Sequence, residues 1–293
     1  MDLALRRYAR RVCLAALLLC AGMALAADAQ FVVVQPVANM YSAASLDADV
    51  VSQAIYATNV VAIEEQDEWV KVRTPGDDYL GWMARSALKP LGGTAPYASG
   101  GNTVEVRNLA AHIYREADVT AHAPLITVPF ETRLEVAAGP KSKRWLQVRL
   151  PDGRLGWIQQ GDVVAERKPM SIAQTIAFAR RFLGLPYTWG GRSSFGYDCS
   201  GFMQMLMRQR GYQVPRDAQP QAEWTGSRTI SRKQLHAGDL LYFGGPGKIT
   251  HTGMYIGNGK FIHATTNTTP VVQISRLTDQ PWTKILVLQR RVK

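Results

Sequence analysis

Cys199, His251 and His263 are the residues whose types and positions can do covalent chemistry in this 293-residue chain. The other two cysteines, Cys13 and Cys20, lie in an Arg-led apolar N-terminal run with the form of a removable leader, which leaves Cys199 without a disulfide partner in an oxidising compartment. A lone exported thiol is either a small buried apolar side chain or a nucleophile, and its neighbours decide between the two. In PYTWGGRSSFGYDCSGFMQMLMRQRG, Cys199 follows Asp198, a natural N-cap, and opens a helical stripe of Cys199, Met203 and Leu206. Free N–H groups and the dipole at a helix start stabilise an anion, so the thiol pKa is expected to fall from about 8.5 into the range of about 3.5 to 7.5. The same donors can hold an oxyanion. A general base is also needed, and His251 and His263 qualify, because both stand in apolar strand patterns where a purely structural histidine is costly.

The segment THTGMYIGNGKFIHAT reads as a hairpin about Gly257, Asn258 and Gly259, and its register fixes how the two histidines relate. With a three-residue loop and Gly259 in the left-handed position, Ile256 faces Lys260 and odd-numbered residues face odd-numbered residues. His251 and His263 then project from one face, one toward the thiol and the other behind it as orienter, the arrangement of a catalytic triad. A two-residue loop would shift the register by one and place them on opposite faces.

The rest of the chain must position these groups. A composition of 46% hydrophobic and 19% charged residues, with 25 Gly and 15 Pro, excludes disordered, collagen-like and multi-span membrane classes. Arg6, Arg7, Arg10 and Arg11, the apolar run from Val12 and the small-x-small site Ala24-Leu25-Ala26 predict a signal peptide over residues 1–26. The run is shorter than the roughly 20 residues needed to span a bilayer, and no later segment is as apolar, so no transmembrane anchor is expected after cleavage. The expected location is periplasmic or secreted. Cys20 follows leucines rather than a small residue, which does not fit lipoprotein processing. The net charge of +11 stays positive without the leader, but the Lys and Arg are scattered and lack interleaved aromatics. That pattern argues against nucleic acid as a partner and fits either plain solubility or an anionic wall polymer.

Two stretches repeat at a spacing of 73 to 76 residues, so that Tyr41, Trp69 and Trp82 match Tyr114, Trp145 and Trp157. Each consists of short alternating runs broken by Pro-Gly-Asp or Pro-Asp-Gly turns, which predicts a small antiparallel barrel over 31–91 and another over 103–166, joined by a linker over 92–102. A short polar stretch, Glu166 to Pro169, precedes a last domain over 168–293. That domain opens with a helix capped by Ser171, with a stripe of Ile172, Ile176, Ala179 and Leu183 and a stop at Gly184. A second helix over about 199–211 and strands near 240, 250, 260, 271 and 284 follow, helices first and then a sheet.

The stretches YTWGGRSSFGYDCSGF, VPRDAQPQ, AGDLLYF and THTGMYIGNGKFIHAT, in that order, resemble the signatures of the NlpC family of cell-wall cysteine peptidases, whose fold is papain-like, over about residues 170–290. The resemblance implies Cys199 as nucleophile, His251 as general base, His263 as orienting third residue, and Tyr187 as a hydroxyl assisting the Cys199 N–H in an oxyanion hole. The two repeats resemble bacterial SH3-type domains. The combination is similar to γ-D-glutamyl-L-diamino acid endopeptidases, which cut murein stem peptides that begin with a free L-Ala. That similarity implies an amine held by Asp198 and by Tyr79 of the first barrel; Arg154 takes the place of Tyr79 in the second, so the first barrel is expected at the active site. Asp47 and Asp49 stand only near the position of a further barrel acid. Ser200, Trp189 and Arg216 are expected to line the substrate groove.

The expected fold class is thus α+β, a papain-like NlpC catalytic domain preceded by two small all-β SH3-like barrels. The expected function is a cysteine endopeptidase acting on peptidoglycan stem peptides, with no metal and no cofactor. An acidic end-stop with basic flanks suits a peptide with an ammonium at one end and carboxylates along its length. Zinc ligation by Cys199, His251 and His263 is chemically acceptable, but their spacings of 52 and 12 residues match no common zinc pattern. A non-catalytic peptidoglycan-binding protein, or an amidase or acyltransferase using the same thiol, is the alternative.

Overall fold

The computed structural model describes residues 30–92, 95–138 and 143–293, and the segment read as a leader lies outside the described residues. Alternation in Trp69, Val70, Lys71 and Val72 buries Val70 and Val72 completely, as a two-residue period requires. They belong to an antiparallel sheet of β1 (Gln30–Val33), β2 (Val37–Tyr41), β3 (Val50–Ile55), β4 (Asn59–Gln66), β5 (Trp69–Arg73), β6 (Leu80–Ala84) and β7 (Leu88–Pro90). Their spatial order is β3-β2-β6-β5-β4-β1-β7. A second sheet follows, of β8 (Thr103–Val106), β9 (Ala110–Tyr114), β10 (Ile126–Pro129), β11 (Arg133–Ala138), β12 (Trp145–Arg149), β13 (Leu155–Gln159) and β14 (Val163–Val164). Its order, β10-β9-β13-β12-β11-β8-β14, is the first order with every strand advanced by seven. Matched aromatics do matched work: Tyr41 pairs with Trp82 and meets Trp69 edge-on at 5.4 Å, while Tyr114 pairs with Trp157 and meets Trp145 edge-on at 5.8 Å.

The stretches expected to be loose connections are packed. Tyr97 and Ala98 are buried in one cluster with Val32 and Tyr56 of the first sheet region and Ile113 and Val148 of the second. Tyr97 exchanges backbone hydrogen bonds with the Asn59 side chain at 2.8 and 2.9 Å, and its hydroxyl donates to the Arg149 carbonyl. Arg167 pairs with Glu105 at 2.6 Å and lies over the Phe130 ring. Composition flagged Gly and polar residues there but missed the aromatic and the arginine that tie them down.

The last part begins with α1 (Ile172–Ala179), whose Ser171 and Gln174 form a reciprocal capping box. Its buried face is Thr175, Phe178 and Ala179; of the expected stripe Ala179 is buried and Ile176 packs half-buried against the core, while Ile172 and Leu183 stay exposed. The eight-residue helix tightens into a 3-10 turn over Arg180–Phe182, which turns Phe178 and Phe182 onto Phe130 of the second sheet. Then come β15 (Arg192–Ser193), β16 (Gly196–Tyr197), α2 (Cys199–Gln209), α3 (Ala218–Glu223) and β17 (Ser227–Thr229). The chain continues through β18 (Leu240–Gly245), β19 (Lys248–Gly257), β20 (Lys260–Thr265), β21 (Val271–Arg276), α4 (Trp282–Ile285) and β22 (Leu286–Val292). A six-stranded sheet of order β17-β22-β18-β19-β20-β21 packs against α2, which is buried nearly throughout. The result is a β-rich N-terminal region followed by a mixed α/β domain.

The first sheet docks on the loop before the nucleophile. Gly190 has φ +69°, and a Cβ there would stand 2.8 Å from Val50 Cγ1, so the close approach of β3 needs a glycine. Gly190→Ala should cost about 1 to 3 kcal/mol, read as a lower thermal midpoint together with faster proteolysis between the first sheet and the α/β domain.

Candidate active site

Cys199 is the first residue of α2, so its N–H is among the donors that a helix leaves free. Asp198 caps that helix, its Oδ1 accepting from the Gly201 N–H at 2.7 Å and from the Ser200 hydroxyl at 3.2 Å. Arg216 holds the same carboxylate with two hydrogen bonds, Nη1 to Oδ1 at 3.1 Å and Nη2 to Oδ2 at 2.6 Å. Its remaining contacts go to Ser200 Oγ and, through Nε, to Ser52 Oγ of the first sheet, both at 3.0 Å. Arg216, expected on the groove wall, is therefore a correction: it is only 2% exposed and lies beneath the groove with its guanidinium occupied.

The histidines sit as the hairpin argument required, by a different local route. Tyr255 faces Phe261 and Met254 faces Ile262, so odd faces odd, but Gly257 rather than Ile256 faces Lys260. The turn proper is two residues, Asn258 and Gly259, both left-handed, and a bulge at Ile256 restores the register that such a turn would otherwise shift. A second bulge puts Thr250 out of pairing against β18, immediately before His251. His251 Nε2 lies 2.7 Å from His263 Nδ1, and His263 Nε2 lies 2.9 Å from Ser275 Oγ. For His251 to accept a proton from the thiol at Nδ1, its Nε2–H must donate to His263, which must in turn donate from Nε2 to Ser275. The Ser275 hydroxyl can accept that last proton, so the chain of contacts accommodates this tautomer of both rings. Trp282 stacks on His251 at 5.2 Å and closes the box around the pair.

Two lobes of one groove meet at the thiol. The larger, about 560 Å³, is lined by Tyr79, Asp49, Asp198, Ser200 and Asp217 among others, and the smaller by His251, Trp282 and the Thr265–Thr268 stretch. Cys199, Tyr187, Trp189 and Thr250 border both, with Trp189 71% exposed on the rim. Tyr79 reaches across from the first sheet, its hydroxyl donating to Asp217 Oδ2 at 3.2 Å. Burial, then the charge of Asp217, pushes the Tyr79 hydroxyl up to about 12, so it remains a donor. Burial also raises the Asp217 carboxyl, against the lowering effect of Arg216. Asp47 does not line the lobe and Asp49 does. Arg154 pairs with Asp152 in the second sheet, at 2.6 Å.

Asp217, Ser275 and Trp282 were missed in the sequence. Asp217 adjoins Arg216 in the motif stretch VPRDAQPQ, a signal that was there to read. Ser275 faces Phe261 and stands diagonal to His263, which strand alternation could give only with the register across the loop before Val271.

The thiol environment reverses the expected shift. Burial, then the charge of Asp198, pushes the Cys199 thiol up to about 12, although the Thr252 and Ser200 N–H groups favour the anion. Burial pulls His251 down to about 3. It also pulls His263 well below the usual range, with the charge on His251 adding to the effect. Neither group of the pair carries charge alone, but proton transfer from Cys199 to His251 creates opposite charges together. Burial likewise raises Tyr187, next to the thiol, and keeps it a neutral donor.

A lone thiol with this pKa has about one part in 10⁵ as thiolate at pH 7, so His251→Gln should cut the iodoacetamide reaction rate of Cys199 at least about 100-fold. Ser275→Ala should cut it about tenfold by removing the acceptor of the His263 Nε2 proton and so weakening the hold on both rings, with Ser275→Thr restoring it. The unfolded histidines take up protons near pH 6.5 that the folded ones refuse, so this stability is present above pH 6.5 and lost below it. The loss is up to about 1.4 kcal/mol per pH unit per histidine, seen as a falling thermal midpoint between pH 7 and 5 that is shallower in His251→Gln.

The sequence matches the NlpC/P60 family over residues 184–291 and the bacterial dipeptidyl-peptidase Sh3 domain over residues 40–88. It is 35% identical over 254 residues to a gamma-D-glutamyl-L-lysine dipeptidyl-peptidase of Bacillus subtilis, covering 82% of this chain and 80% of that protein. A protein of the same name from Bacillus cereus is 30% identical, over 73% of this chain and 66% of its own. Among solved structures, an NlpC/P60 family protein from Bacillus cereus superposes with a TM-score of 0.77 at 24% identity, over 90% of this chain and 99% of that one, which speaks for the fold. With a relative this similar over four-fifths of both sequences, the chain belongs to the NlpC/P60 family and is a cysteine peptidase.

Proposed function

We propose that the protein is an exported endopeptidase that cuts peptidoglycan stem peptides after their γ-linked D-Glu, and that it takes those with a free N-terminal L-Ala. The observation that carries this reading is the acidic lobe beside the thiol, where Tyr79 from the first sheet meets Asp217 and Asp198 from the α/β domain. An ammonium can donate to the carboxylates and to the tyrosine oxygen; an acylated or sugar-linked alanine has no charge to offer them. Asp198 already accepts from Gly201, Ser200 and Arg216, so Asp217 and Tyr79 have the greater capacity left for a ligand. The names of the two Bacillus relatives agree with this substrate class.

In this reading Cys199 Sγ attacks the γ-carbonyl carbon while His251 takes the thiol proton. The Cys199 N–H and the Tyr187 hydroxyl face the developing oxyanion. The imidazolium returns its proton to the leaving α-amine of the diamino acid, and a thioester remains. Water activated by His251 then hydrolyses the thioester and restores the thiol. The second sheet is a diverged copy of the first that braces the α/β domain, and residues 1–26 direct export.

L-Ala-γ-D-Glu-diaminopimelate should be cut by the mature protein, its N-acetylated form about 100-fold more slowly or not at all, and neither by Cys199→Ala. Asp217→Asn should raise KM for the free-amine peptide at least about tenfold with a smaller change in kcat. Equal cleavage of the free and acetylated peptides, followed by mass spectrometry, would remove the amine site from the reading.

A further inference from the structure

We infer that Lys248 binds the free α-carboxylate of the γ-linked D-Glu and so makes the enzyme selective for acidic over α-amidated stem peptides, an inference that rests on the substrate reading above. In a γ-glutamyl peptide the chain runs through the side-chain carbonyl and leaves the α-carboxylate pendant, three carbons from the carbonyl that the thiol attacks. The lobe that takes this residue is lined by the carboxylates of Asp49, Asp198 and Asp217, a field that suits the ammonium of L-Ala and opposes a substrate carboxylate. A cation on this lobe offsets that field where D-Glu lies.

Lys248 is the one Lys or Arg that lines this lobe among the described residues, and the other lobe has none. Arg216 cannot serve, because its guanidinium is buried on Asp198, Ser200 and Ser52. Lys248 forms no salt bridge among the described residues, although the lobe it borders is acidic. Its backbone is fixed even though its side chain is exposed. It faces Gly245 across the β18–β19 turn, and the next residue, Ile249, donates its N–H to Gln219 Oε1 of α3 at 2.8 Å. It therefore stands three residues before His251 on the same strand, with Thr250, which borders both lobes, between them. A flexible ammonium on a fixed strand end suits a pendant carboxylate, whose position varies more than that of the reacting carbonyl.

The test compares L-Ala-γ-D-Glu-L-Lys with the same peptide carrying D-isoglutamine, in which an α-carboxamide replaces the carboxylate. The wild-type protein should prefer the acid by about tenfold or more in kcat/KM, with the preference shrinking as salt is raised. In Lys248→Met the ratio between the two peptides should fall to near one, and Lys248→Arg should keep most of it. A Lys248→Met enzyme that retains the wild-type ratio, or that loses both activities in step, would overturn the role of Lys248 while leaving the substrate reading in place. Failure of the wild-type protein to cut either peptide would overturn the substrate reading and this inference with it.

Discussion

The buried pair of Asp198 and Arg216 is the constraint on which the rest of the site depends. Two charges out of water are costly unless they are well partnered, and here the carboxylate caps α2 while the guanidinium spans that cap, Ser200 and Ser52. Loss of one member would strand the other as an unpaired buried charge, a cost of about 3 to 5 kcal/mol. The pair therefore does three jobs at one place. It fixes the start of the helix that carries the thiol, it fixes Asp198 at the edge of the groove, and it fastens the first sheet to the α/β domain.

That fastening is continued by other polar contacts. The Arg192 N–H donates to Gln53 Oε1, its guanidinium pairs with Asp77 at 3.3 Å, and Gln204 of α2 donates to the same carboxylate. Asp77 in turn accepts from the Thr74 hydroxyl within the turn that leads to Tyr79. The side chain that enters the groove is thus held from both ends of its strand connection. The second sheet docks elsewhere, through Phe130 and through Glu131 with Arg208 and Gln209, behind the helices rather than at the groove. Two copies of one architecture have taken different faces of the same domain, and only the first brings a tyrosine to the thiol.

The sequence was most legible where a period or a cap leaves one physical solution. Asp198 followed by an apolar stripe could only be a capped helix, and the β19–β20 segment put two histidines on one face because strand alternation is strict. The route to that register was not legible: a two-residue turn with a bulge and a three-residue loop give the same parity, and composition does not separate them. Charge was misjudged for a related reason. A helix start favours a thiolate, but how deeply Cys199 is buried follows from the packing of α2 against β19, which no local pattern states. Arg216 looked like a groove residue because it lies on the motif stretch VPRDAQPQ, yet it is beneath the groove while its neighbour Asp217 lines it.

Burial of the thiol and both rings has a consequence for how selectivity and reactivity can be joined. Nothing in the resting site is charged at the thiol or the histidines, so the only fixed charges near the scissile bond are those of the end-stop and its flanks. Those charges act through a low-dielectric wall at the moment when Cys199 and His251 separate charge between them. In the substrate reading proposed above, an ammonium in the acidic lobe offsets the field of Asp198, which comes after burial among the causes that raise the thiol. In that reading, recognition of the amine and activation of the nucleophile meet at one carboxylate. Asp198 borders both because it is the residue before Cys199, and Arg216 keeps it there.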